Sequence, residues 1–135
     1  MYTALLLVIA VIGIVEARVL TSEQNKKIID WSKECLKEST VDMDVLLDAA
    51  KGEFADDPKL KKHILCFNKK IGVQDSDGKI VMDKIRAHLT DATGDPKETE
   101  EIIKKCMIEQ DTPEDTAFET AKCLHQMIPH ETDSE

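Results

Sequence analysis

The chain has 135 residues, with 18 Lys and Arg against 27 Asp and Glu, a net charge of −9, and 4% aromatic residues. A negative surplus spread along the chain repels phosphate backbones and anionic headgroups, which excludes nucleic-acid binding and electrostatic capture by membranes. The length suits one compact domain with a single modest core.

Ala4 to Val15 is an unbroken apolar run ending in Val15-Glu16-Ala17, which places small residues where signal peptidase reads them. Twelve apolar residues are too few to cross a hydrocarbon core that needs about 20, so residues 1–17 are expected to be a cleaved signal peptide. Met1-Tyr2-Thr3 carries no Lys or Arg and departs from the usual basic start. The expected mature domain is 18–135, secreted, with 18 basic against 26 acidic side chains. Neither Asn25 nor Asn68 opens a glycosylation sequon.

The first helix is expected after Thr21, which forms a capping-box pattern with Gln24, and runs to about Glu38 with Ile28, Trp31 and Cys35 on one side. A second, shorter helix covers Asp42 to Lys51 and stops at Gly52. The third runs from Pro58 to Ile71, where Leu60, Ile64, Phe67 and Ile71 share a face and Gly72 ends the helix. Asp75-Ser76-Asp77-Gly78 reads as a turn, followed by a fourth helix through Ile80, Val81, Ile85 and Leu89. The fifth spans Pro96 to about Gln110, and the sixth runs from Pro113 until Pro129 stops it. Asp57-Pro58, Asp95-Pro96 and Thr112-Pro113 mark three of these starts. Proline at the first helical position gives up an N–H that would be unpaired there, and the residue before it accepts from the exposed N–H groups. No window alternates with period two, so the expected fold is all-α.

Four cysteines, Cys35, Cys66, Cys106 and Cys123, lie downstream of the leader with no C-x-x-C pair. An even count in a small secreted chain favours disulfides, and four cysteines allow three connectivities. The short connection 110–112 makes the last two helices neighbours and brings Cys106 and Cys123 within reach, which leaves Cys35 for Cys66.

Enzymatic signatures are absent from the sequence: it holds no H-E-x-x-H, G-x-S-x-G, P-loop or dinucleotide fingerprint. Cys123, His125 and His130 lack the close pairs of a structural zinc site. Asp75-x-Asp77-Gly78 mimics part of a calcium loop, yet Val73 and Lys84 would stand where that loop needs carboxylates. Glu100 and Glu101 are adjacent and do not share a helical direction, so they read as a solvated face. No catalytic residue, metal or cofactor is therefore expected.

The pattern Cys35-x2-Glu38-x2-Val41, then Cys66 followed by Lys69, Lys70, Gly72, Asp75, Gly78 and Ile80, then Cys106 and Cys123, resembles the insect odorant-binding proteins of the pheromone- and general-odorant-binding family. The resemblance covers the whole mature chain. Six-cysteine members carry two further cysteines where this chain has Lys62 and Glu114, so it resembles the four-cysteine, minus-C subclass. The resemblance implies a six-helix disulfide-stapled bundle enclosing a hydrophobic cavity, with Cys35–Cys66 and Cys106–Cys123 bonded. The missing link between the third and sixth helices implies a more deformable interior, with a Lys62–Glu114 ion pair as a weak substitute.

The implied role is a secreted, non-enzymatic carrier that solubilises small hydrophobic ligands such as odorants, terpenoids or fatty-acid derivatives, with a chemosensory receptor as a further candidate partner. Ligand-lining candidates are Val45, Leu46, Ile64, Phe67, Ile71, Ile85, Leu89, Ile103, Met107, Phe118, Leu124 and Met127. Periodicity alone reads each of them as core. With no Tyr and three Phe in the mature chain, an aliphatic lining selects by shape, and Met107 and Met127 adapt to several ligands. The tail after Pro129 is short and polar, so little pH effect on binding is expected, with His63 or His125 near helix surfaces as its levers. The competing reading is a secreted helical protein acting on lipid surfaces or on a protein partner.

Overall fold

The computed structural model describes residues 22–128. The expected signal peptide, the Thr21–Gln24 capping box and the polar tail beyond Pro129 fall outside the residues whose side chains are described. Among the described residues six helices follow one another: α1 (Ser22–Ser39), α2 (Met43–Ala50), α3 (Pro58–Ile71), α4 (Met82–Thr93), α5 (Pro96–Cys106) and α6 (Pro113–Met127). Among the described residues the only β pairing is one antiparallel bridge, Gln74 to Ile80. The fold is all-α.

The three proline-marked starts carry the expected caps. Asp57 accepts from the Lys59 N–H, Asp95 from the Lys97 N–H and Thr112 from the Asp115 N–H, with Pro58, Pro96 and Pro113 in the first helical turn. Gly72 closes α3 in the left-handed region, with its N–H on the Asn68 carbonyl.

Two boundaries differ from the sequence reading, for one reason. Ile80 and Val81 are not helical: the Val81 N–H donates to the Val73 carbonyl at 2.9 Å, and the Ile80 N–H donates to Glu109 Oε2 at 3.0 Å. Helix α5 stops at Cys106 instead of about Gln110, because Met107 turns to φ −88°, ψ 68° and the Gln110 N–H donates to Thr116 Oγ1 at 2.7 Å. In both segments backbone groups find tertiary partners that replace helical ones. Tying 73–81 to 107–116 in this way closes one end of the bundle.

Helix α3 lies at the centre, packed against α1 and α6, while α5 packs against α4 and α6. Leu60, Ile64 and Phe67 on α3 have no exposure, and each such burial stabilises the fold by about 1.5–3 kcal/mol. Disulfides fasten α1 to α3 through Cys35–Cys66 (Cα–Cα 5.6 Å) and α5 to α6 through Cys106–Cys123 (5.4 Å), and no cysteine is free.

An ion pair bridges the rim of the apolar α3–α6 contact. The ion pair there is Lys61–Asp115 at 2.9 Å, not the expected Lys62–Glu114. Lys61 also pairs with Asp56 at 3.0 Å, and its ammonium lies 5.1 Å from the centre of the Phe118 ring. One residue along a helix rotates a side chain by about 100°, which turns Lys62 to solvent and Lys61 to α6. The Lys61 hydrogen bond, followed by one to Thr112, holds the Asp115 carboxyl below the usual Asp value, and the Asp115 and Asp56 hydrogen bonds raise Lys61.

Candidate ligand-binding site

The twelve expected lining residues fall into three groups. Leu46, Ile64, Ile85, Leu89, Ile103, Met107, Phe118 and Leu124 are buried in the main core cluster, and Val45, Ile71 and Met127 pack partly buried against it. Phe67 is buried outside that cluster. The interior around these side chains is largely filled.

A small void remains where α3, α4, α6 and the two tied loops meet. Its volume is about 10 Å³, room for roughly one water molecule. Three expected residues, Ile85, Met107 and Leu124, line it, together with the loop side chains of Val73 and Ile80. The remaining lining is polar: Asn68, Gln74 and Thr120. Sequence reading missed these three, although a signal existed. Asn68 is four residues after Ile64 and Thr120 four before Leu124, so each interrupts an apolar stripe on the inward face of its helix.

Gln74 links the void to the loops. Its Nε2 donates to the Gly78 carbonyl at 2.8 Å and to the Pro113 carbonyl at 3.4 Å, while its Oε1 accepts from Asn68 Nδ2 at 2.7 Å. Gly78 has φ +82°, and a Cβ there would stand 2.3 Å from Pro113 Cβ, so only glycine lets this loop lie against the start of α6. The Asp75 carboxylate is taken up within the turn, accepting from the N–H groups of Asp77 and Lys79 at 2.9 Å each.

Along α6, Phe54 from the α2–α3 loop meets Phe118 edge to face (6.0 Å, 87°) and His125 at 5.9 Å. His63, expected near a helix surface, is fully buried, with Nδ1 3.4 Å from Ser39 Oγ. His88 on α4 has its proton affinity lowered by burial, in opposition to Asp91. Among the described residues no cluster of His, Cys, Asp and Glu could hold a metal ion, and no helix is long and apolar enough to cross a membrane.

An all-helical bundle with two staples and a small internal void has a direct counterpart in sequence: the PBP/GOBP family pattern matches residues 17–127. The chain belongs to the PBP/GOBP family. Two relatives from Tenebrio molitor agree: the B1 protein is 41% identical over 128 residues, covering 95% of this chain and 94% of that protein. The B2 protein is 40% identical over 121 residues, covering 90% and 94%.

Solved structures show the same family fold. The fatty acid binding protein OBP56a from the oral disk of the blowfly Phormia regina superposes with a TM-score of 0.64 at 24% identity, covering 86% of this chain and 97% of that one. The THP12 carrier protein from yellow meal worm superposes with a TM-score of 0.58 at 27% identity, covering 82% and 94%. As a four-cysteine PBP/GOBP chain, the protein lacks a covalent α3–α6 link and has the Lys61–Asp115 pair at that contact.

Proposed function

We propose that this PBP/GOBP protein is a secreted carrier that takes a small hydrophobic molecule, such as an odorant, terpenoid or fatty-acid derivative, into the interior of the bundle. The observation that carries the proposal is the void at the meeting point of α3, α4 and α6, where aliphatic side chains from separate segments converge on unfilled space within an otherwise packed core. A ligand of about ten carbons needs a site of a few hundred Å³, so uptake requires the core to open around this point. Met107 and Met127 suit such a change because their unbranched chains refill irregular gaps. The absence of a covalent tie between α3 and α6 favours it too.

The expected residues serve as the ligand's surroundings in the opened state: Ile85, Met107 and Leu124 first, with Leu46, Ile64, Phe67, Leu89, Ile103 and Phe118 behind them and Val45, Ile71 and Met127 at the rim. All four sulfurs are spent in disulfides, which leaves no thiol nucleophile and fits a carrier without catalytic activity. Those disulfides also require an oxidising compartment, in accord with a leader over 1–17 and a mature domain over 18–135. Delivery to a chemosensory receptor is the corresponding partner role. The surface-active alternative needs a contiguous apolar patch. The large exposed hydrophobics, Ile29, Met43, Leu47, Met82 and Ile108, are spread over α1, α2, α4 and the α5–α6 loop, and only Met43 and Leu47 share an element.

Displacement of a fluorescent apolar probe, with quenching of Trp31 emission as a second readout, tests the proposal. Saturable binding across a panel of C8–C16 compounds is expected. Absence of saturation for every compound would refute it.

A further inference from the structure

The polar side of the void is under-bonded. Asn68 and Thr120 are 2% and 6% exposed, and Asn68 Oδ1 and Thr120 Oγ1 are buried with no hydrogen-bond partner. Buried polar atoms are almost always paired, so two exceptions lining one void call for a cause.

The identity of the Asn68 atom is fixed by its neighbours. Gln74 must turn its amino group to the carbonyls of Gly78 and Pro113, because carbonyls only accept. Gln74 Oε1 therefore faces Asn68, and the 2.7 Å contact requires Asn68 to offer Nδ2. Oδ1 is left as an acceptor that no amide flip can convert to a donor without breaking this chain of bonds. Thr120 differs, since a hydroxyl both donates and accepts.

We infer that Asn68 and Thr120 form a subsite for the hydroxyl of a medium- to long-chain alcohol, which donates to Asn68 Oδ1 and accepts from the Thr120 hydroxyl. The inference rests on the carrier reading and deepens it. A void the size of one water suits a hydroxyl oxygen, with the alkyl chain running among Ile85, Met107 and Leu124. An aldehyde of equal length satisfies Thr120 and leaves Asn68 Oδ1 unpaired. A carboxylate meets no Lys or Arg in the lining and brings its charge against the Asn68 acceptor.

Competition against a fluorescent probe at pH 7 with dodecanol, dodecanal and dodecanoate reads out the subsite. Dodecanol is expected to bind about tenfold more tightly than dodecanal, the scale of discrimination set by one unpaired buried polar group, with dodecanoate weaker still. Thr120→Val, which keeps the shape, should lower dodecanol affinity about five- to tenfold, while Thr120→Ser, which keeps the hydroxyl, should hold it within about twofold. If Thr120→Val fails to fold, the wild-type ranking and Thr120→Ser decide. Equal affinities for the three compounds, or a folded Thr120→Val that binds dodecanol as wild type does, overturn the subsite and leave the carrier reading standing. Failure of all three and of the wider apolar panel overturns both.

Discussion

Gly78 and Gly94 offer a matched pair for measuring what the loop against α6 contributes. Both have positive φ, +82° and +69°, so alanine at either site meets the left-handed penalty of about 1–2 kcal/mol. They differ in space. At Gly94 nothing lies within 4 Å of an added Cβ, whereas at Gly78 the Cβ would stand 2.3 Å from Pro113 Cβ and 2.7 Å from Pro113 Cγ. Pro113 sits in the first turn of α6 behind the Thr112 cap, and its ring has no rotamer that clears the clash. The loop must move away, which adds an overpacking cost of about 1–3 kcal/mol. Displacement also breaks the Gln74 bonds to Gly78 and Pro113, worth about 0.5–1.5 kcal/mol each. Gly94→Ala is therefore expected to lose about 1–2 kcal/mol, and Gly78→Ala roughly 3–8 kcal/mol, a large part of the 5–15 kcal/mol total of a small domain. Urea unfolding of the disulfide-intact proteins, followed by far-UV circular dichroism, measures both. Equal losses at the two glycines would refute the packing argument.

Two further outcomes are expected. Replacing both cysteines of one bond by serine should cost about 3 kcal/mol for Cys106–Cys123 and slightly more for Cys35–Cys66, because the enclosed sequence separations are 17 and 31 and the chain-entropy term grows with loop length; thermal unfolding of the two double variants checks the order. His88 binds its proton less readily when folded than when unfolded, so its contribution is intact above its ordinary value near 6.5 and is lost as pH falls from there toward its folded value. The stability of His88→Asn should accordingly fall less between pH 6.5 and 5 than that of the wild type, as read from urea midpoints at several pH values.

Much of the scaffold was legible in the residues. The Asp-Pro and Thr-Pro starts, the stop at Gly72 and the buried face of α3 depend on contacts within a few residues, and those are written locally. The same locality explains the misreadings. Ile80 and Gln110 carry helix-compatible neighbours, yet their N–H groups are claimed by Glu109 and Thr116 from across the fold. Lys62 and Glu114 were paired from the positions of absent cysteines, while facing is decided by helix rotation, which put Lys61 and Asp115 together. His63 looks like any surface histidine until α1 brings Ser39 over it.

Capping oxygens, prolines, apolar period and cysteine order act through the covalent chain, so the six stapled helices of the described residues and membership of the PBP/GOBP family are legible from the residues alone. Packing of the interior down to a void of about 10 Å³, faced by Asn68, Gln74 and Thr120, emerges from contacts across the fold. Asn68 on α3, Gln74 in the loop after it and Thr120 on α6 supply those three side chains, and the direction of each hydrogen bond depends on a neighbour that periodicity cannot name.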